Sequence, residues 1–124
     1  MFEISVKTGF SSAHFLKGYP GVCERLHGHN WEVEVALRGR RTDALGLLAD
    51  FRQVKRVLKE VVDPLDHREL NSLPLFVRKN PSSENLARYL FQALARRLNS
   101  RRLKVQRVRV SEGTGTSASY WESA

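Results

Sequence analysis

Cysteine and methionine each occur once in these 124 residues, tryptophan twice and proline four times. A single thiol, Cys23, excludes an intramolecular disulfide and favours a reduced, cytoplasmic setting. Long apolar runs are missing as well. None exceeds three residues, which excludes a membrane-spanning helix. The opening residues Met1-Phe2-Glu3-Ile4 carry neither the basic nor the apolar stretch of a secretory signal, so none is expected. Repeats and low-complexity segments are also lacking. With 41% hydrophobic and 27% charged residues, the chain reads as a folded globule rather than a disordered one, and its length predicts one domain over residues 1–124.

Acidic residues are comparatively few, 13 against 21 Lys plus Arg, for a net charge of +8. Basic residues concentrate between Arg96 and Arg109 (Arg96, Arg97, Arg101, Arg102, Lys104, Arg107 and Arg109). Such a block fits a solvated helix end and strand face, a nucleic-acid surface, or a field that draws in a small polyanionic substrate. Aromatic residues are not interleaved with it, so base stacking gains no support and nucleic acid is the minor reading.

Two strands are marked by alternation. Phe2, Ile4, Val6, Thr8 and Phe10 alternate with Glu3, Ser5, Lys7 and Gly9; Trp31, Val33, Val35 and Leu37 alternate with Asn30, Glu32, Glu34 and Ala36. Asp50 and Gln53 resemble a capping box ahead of a helix whose apolar stripe is Phe51, Val54, Val57, Leu58 and Val61, ended by Asp63-Pro64. A connector over residues 64–80 precedes a second helix, capped by Ser82 or Ser83, with Leu86, Tyr89, Leu90, Ala93, Leu94 and Leu98 on one face. Val108 and Val110 define a third strand with a phase break at Val105, and Thr114 to Trp121 a fourth. The order ββααββ predicts an α+β fold: a four-stranded antiparallel sheet with both helices on one face. Open sheet edges in so short a chain predict association into an oligomer.

His27-Gly28-His29 stands at the head of the second strand, and two residues apart on extended backbone the imidazoles share a face. Their parity is that of Trp31, Val33 and Val35, the buried one. His14 shares the even phase of Phe2, Ile4 and Val6 and also points inward if no bulge intervenes at Ser11-Ser12. Three converging imidazoles with one open position form the ligand set of a catalytic zinc, whereas any one histidine alone is more often a hydrogen-bonded core residue. Cys23, four residues before His27, is a fourth ligand, a base or nucleophile beside the metal, or an inert buried thiol. Asp66-His67 forms a candidate proton relay, and Glu112, in phase with Val108 and Val110, points inward where it can accept paired N–H groups.

Together, Phe10-Ser11-Ser12-Ala13-His14, Cys23-x-x-x-His27-Gly28-His29, Ala49-Asp50-Phe51, Leu65-Asp66-His67, Asn80-Pro81-Ser82-Ser83-Glu84-Asn85 and Val110-Ser111-Glu112 resemble the 6-pyruvoyltetrahydropterin synthase superfamily over nearly the whole chain. The spacing of three residues between Cys23 and His27 resembles the 6-carboxy-5,6,7,8-tetrahydropterin synthase branch, which serves queuosine precursor synthesis. The resemblance implies a T-fold subunit assembled as a hexamer, a dimer of trimers with sites between subunits. It implies zinc on His14, His27 and His29, proton transfer by Cys23, Asp66 and His67, and a pterin anchored by Glu112, with Ser82 standing where threonine is usual. The expected reaction converts 7,8-dihydroneopterin triphosphate to 6-carboxy-5,6,7,8-tetrahydropterin, acetaldehyde and triphosphate. Stopping at a 6-pyruvoyl product is the nearest alternative, and a basic, zinc-stabilised RNA-binding domain the distant one. Lys17, Arg25 or members of the Arg-rich block are the candidates to receive the triphosphate.

Overall fold

The computed structural model describes residues 1–18 and 25–123. Two long strands, β1 (Phe2–His14) and β2 (His27–Gly39), pair antiparallel along their whole length, from Phe2 opposite Gly39 to His14 opposite His27. The chain then forms α1 (Phe51–Val62), a two-residue strand β3 (Arg68–Glu69), α2 (Ser83–Leu98), β4 (Lys104–Glu112) and β5 (Ser117–Tyr120). Sheet order is β3-β1-β2-β4-β5.

This is the expected α+β architecture with one correction to the sheet. It has five strands and is mixed, because β3 joins the edge of β1 in parallel, Ser12 beside Arg68 and Ala13 beside Glu69. The segment read as connector thus supplies an edge strand, flanked by single 3-10 turns at Asp63–Leu65, Leu70–Ser72 and Pro74–Phe76. The last strand is shorter than Thr114–Trp121, since Gly113 and Gly115 take positive φ in the turn ahead of it.

Helix α1 turns Val54, Val57, Leu58, Val61 and Val62 toward the sheet, and α2 turns Leu86, Ala87, Leu90, Phe91 and Leu94. Each fully buried leucine among them, such as Leu58 or Leu90, contributes about 1.5–3 kcal/mol relative to exposure. Asp50 caps α1 by accepting the Arg52 N–H at 2.9 Å, but Gln53 meets Asp50 only through its backbone N–H, so the capping box is half formed. Phe51, placed on the apolar stripe by spacing, is the first residue of α1 and is 49% exposed.

Both helices lie on the face formed by Val6, Phe10, Trp31, Val33, Val35, Val108 and Val110. Across the other face run ion pairs, Glu3–Arg38 at 2.9 Å, Lys7–Glu32 at 3.8 Å and Glu34–Arg107 at 3.4 Å. The phase break at Val105 is a bulge: Ala36 faces Arg107 but Leu37 faces Val105, leaving Gln106 extra. No helix is long and apolar enough to cross a membrane among the described residues.

Candidate active site

An uninterrupted register decides where the histidines go. No bulge interrupts β1 at Ser11-Ser12, so the even phase of its core residues carries through to His14, which is 1% exposed. Its strand partner is His27, and His29 follows on the same side of β2. Ring centroids lie 4.6 Å apart for His14 and His27, 4.7 Å for His27 and His29, and 5.2 Å for His14 and His29. One ring nitrogen from each lies within 4.8 Å of the other two, a group able to hold a metal ion.

Hydrogen bonding sets the tautomers. His14 Nδ1 lies 2.7 Å from the Pro81 carbonyl oxygen and His27 Nδ1 2.7 Å from that of Arg25. A carbonyl only accepts, so each Nδ1 donates, and Nε2 of a neutral ring keeps its lone pair. Carbonyl-oriented imidazoles of this kind are the usual outer support of a metal ligand. Burial pushes the His14 pKa down, against the Pro81 hydrogen bond and Glu112, which raise it, so the ring favours its neutral, ligating form. Among the described residues, the buried Nε2 atoms of His14 and His29 find no hydrogen-bond partner. Such orphans cost about 1–3 kcal/mol each, and a metal ion would satisfy both. The donor set therefore fits a divalent ion such as zinc, with three nitrogens and room for a further ligand.

Glu112 lies beside this group. It is paired with Trp31 across β2 and β4, and its Oε2 comes within 3.3 Å of His29 Nε2, off the direction of a hydrogen bond. Oε1 accepts the Ser83 hydroxyl at 2.8 Å. The Ser82 hydroxyl accepts the Asn85 N–H at 3.1 Å as the N-cap of α2, and it is Ser83 that meets Glu112. Trp31 is a second participant assigned by periodicity only to the core. Its ring packs edge-on against His14 and His29, and its indole N–H donates to the Ser12 carbonyl at 3.1 Å. Ser12 in turn bonds the Leu65 carbonyl, tying the segment before β3 to β1.

Asp66 and His67 form a pair, with His67 Nδ1 3.1 Å from Asp66 Oδ1. The same carboxylate oxygen accepts the Ser11 N–H at 2.8 Å, and the His67 N–H donates to the Ser11 carbonyl at 2.6 Å. The Ser11 amide is the chief reason the Asp66 carboxyl sits below its ordinary range, with His67 adding to it against a smaller desolvation effect. His67 takes φ 55°, in the left-handed region, and its side chain is 82% exposed. Among the described residues, no hydrogen bond or ion pair joins it to the three histidines of its own chain. Cys23 lies outside the described residues.

The basic block does not form one surface. Arg97 pairs with Glu60 on the helices, Arg107 and Arg109 approach Glu34 on the open sheet face, and Arg101, Arg102 and Lys104 lie at the end of the sheet away from the histidines. Lys17 and Arg25 stand near the triad in sequence. The Lys17 backbone is clamped by Asn80 and the Arg25 carbonyl holds His27.

The chain is similar to known proteins. The family model for 6-pyruvoyl tetrahydropterin synthase matches residues 3–123. The chain belongs to that family, and its fold is the T-fold. An Archaeoglobus fulgidus protein provisionally named 6-carboxy-5,6,7,8-tetrahydropterin synthase is 38% identical over 109 residues, 88% of this chain and 86% of that one. A Pyrococcus furiosus dihydroneopterin monophosphate aldolase is 33% identical over 111 residues, 90% of each chain. The structure of Caenorhabditis elegans 6-pyruvoyl tetrahydropterin synthase superposes with a TM-score of 0.87 at 27% identity, covering 98% of this chain and 96% of that one.

Proposed function

We propose that the protein is a zinc-dependent lyase that converts 7,8-dihydroneopterin triphosphate to 6-carboxy-5,6,7,8-tetrahydropterin, acetaldehyde and triphosphate. It would act in the cytoplasm, in 7-deazaguanine and queuosine precursor synthesis. The observation that carries this reading is the convergence of three imidazoles, His14, His27 and His29, two of them (His14 and His27) oriented by backbone carbonyls, beside the inward carboxylate of Glu112. The spacing of Cys23 three residues ahead of His27-Gly28-His29 supports the carboxy-forming outcome.

His14, His27 and His29 would hold the zinc. Bound there, zinc supplies a Lewis acid that acidifies the hydroxyl and adjacent C–H groups of the substrate side chain. Glu112 accepts N–H groups from the 2-amino-4-oxo edge of the pterin, and the Ser83 hydroxyl fixes the orientation of that carboxylate. Cys23, as thiolate, takes a proton from the side chain. His67, held in one orientation by Asp66, moves the second proton. Because His67 projects to solvent, it suits a site completed by an adjoining copy, in keeping with a hexamer of two stacked trimers. The Ser82 hydroxyl, engaged as a helix cap, contributes to substrate contact through its remaining donor. Lys17 and Arg25 would receive the triphosphate, since Arg101, Arg102 and Lys104 lie at the other end of the sheet.

The Pyrococcus furiosus relative, named an aldolase of dihydroneopterin monophosphate, supports a second outcome on the same site. Aldol cleavage there would leave a two-carbon aldehyde still carrying phosphate. Incubation with 7,8-dihydroneopterin triphosphate and analysis of products separates the cases. The proposal requires acetaldehyde and free triphosphate in equal amounts. Triphosphate without acetaldehyde indicates the 6-pyruvoyl outcome, and a phosphorylated aldehyde the aldolase.

A further inference from the structure

At the opposite end of β2 from the histidines is a cavity of about 500 Å³, lined on its charged side by Arg38, Arg40, Arg41, Arg101, Arg102 and Lys104. β2 begins at His27 in the triad and ends at Gly39 in this cavity, about 40 Å of extended chain at about 3.3 Å per residue. The cavity is therefore a separate place, and nothing in the proposed chemistry uses it.

Two basic segments, distant in sequence, are pressed together by a close backbone approach. A Cβ at Gly39 would lie 2.4 Å from the Arg102 carbonyl oxygen and 2.5 Å from Leu48 Cδ1, so only glycine allows β2 to meet the turn before β4 at this distance. That turn is well tied. The Ser100 N–H donates to the Leu103 carbonyl, the Ser100 hydroxyl oxygen accepts the N–H groups of Arg102 and Leu103, and Asn99 accepts the Val105 N–H. Arg102 completes the closure by donating to the Arg41 carbonyl at 3.2 Å.

Acidic residues answer only part of this charge. Arg38 pairs with Glu3 at 2.9 Å, and Asp43, whose carboxylate accepts the Leu45 and Leu47 N–H groups, feels the charge of Arg102. Among the described residues, Arg40, Arg41, Arg101 and Lys104 make no ion pair. Cations gathered in one concavity repel one another and focus a positive field, an arrangement that an anion of several charges relieves. Among the described residues, no aromatic side chain lines the cavity, so it offers a base no stacking platform there. Guanidinium forks, by contrast, match phosphate oxygens two at a time.

We propose that this cavity binds an oligophosphate group, either a free inorganic oligophosphate or the phosphate tail of a nucleotide. The test is calorimetric titration with sodium triphosphate, at fixed ionic strength, of the full-length Lys17→Ala/Arg25→Ala protein, which lacks the side chains proposed to receive triphosphate at the active site and serves as the background for the variants below. Affinity should fall about tenfold or more in Arg101→Ala/Lys104→Ala and again in Arg40→Gln/Arg41→Gln. All four side chains are exposed, and circular dichroism would verify that the variants fold. His27→Ala, which acts at the far end of β2, should leave this binding unchanged. ATP binding more tightly than triphosphate identifies the nucleotide tail as the source, and weaker binding identifies the free oligophosphate. Triphosphate affinity retained within about twofold in both folded double variants would overturn the proposal. So would its loss in His27→Ala alone, orthophosphate binding as well as triphosphate, or a mixed-sequence oligonucleotide displacing triphosphate through the same side chains.

Discussion

His14 and His27 are direct partners across the β1–β2 ladder, with ring centroids 4.6 Å apart and each Nδ1 held by a backbone carbonyl. Antiparallel pairing alone therefore delivers two ligand atoms to one point, and the two-residue step from His27 to His29 delivers the third. The ring nitrogens are left facing a common space, and the buried Nε2 atoms of His14 and His29 have no partner among the described residues.

Glu112 is held on one side by Ser83 and faces His29 on the other. Glu112→Gln should raise KM for the pterin substrate at least about tenfold with a smaller loss in kcat, since an amide cannot replace a carboxylate acceptor at both oxygens. Ser83→Ala should do the same more weakly. Steady-state kinetics on both variants would check this, and an unchanged KM in Glu112→Gln would remove the anchor from the account.

Cys23→Ala should keep zinc at the level of the unaltered protein and lose turnover by a factor of about 10² or more, as expected when a proton-transfer group is removed. Metal analysis and a rate measurement on one sample decide it. Loss of zinc along with activity would make the thiol a ligand instead.

Asp66 has a depressed pKa, chiefly through the Ser11 amide and then through His67. A carboxyl that is more acidic in the folded chain adds stability above its ordinary value of 3.8, and this contribution disappears as pH falls through the lower folded value. The stability advantage over Asp66→Asn should accordingly be present at neutral pH and shrink below that ordinary value. Urea midpoints compared at neutral and strongly acidic pH would show it, and a pH-independent difference would contradict it.

Gly39→Ala should destabilise the fold by about 1–3 kcal/mol, because the added methyl meets a backbone carbonyl and a buried leucine at once. Chemical denaturation measures the effect. A midpoint equal to that of the unaltered chain would mean that β2 and the turn before β4 separate at little cost.

Period-two parity made the inward histidines readable from the chain, because His27 and His29 keep the phase of Trp31 and Val33 and because β1 runs without a bulge to His14. Glu112 was readable for the same reason, as the continuation of Val108 and Val110. β3 was not: two residues carry no periodicity, and its pairing depends on where the turn after Pro64 leads the chain. The choice between Ser82 and Ser83 rests on the residue at which α2 begins, a boundary that pattern does not resolve. The Arg-rich block looked continuous because neighbours in sequence need not be neighbours in space. A helix end, a turn and a strand face divide it three ways. His67 at φ 55° left no signal at all.

The most direct test of the account is the zinc content of the purified protein and of His27→Ala, measured by plasma mass spectrometry after dialysis. The prediction is one zinc per chain in the former and none in the latter, with both folded by circular dichroism. A zinc-free parent protein after exposure to the metal, or full zinc occupancy in His27→Ala, would contradict it.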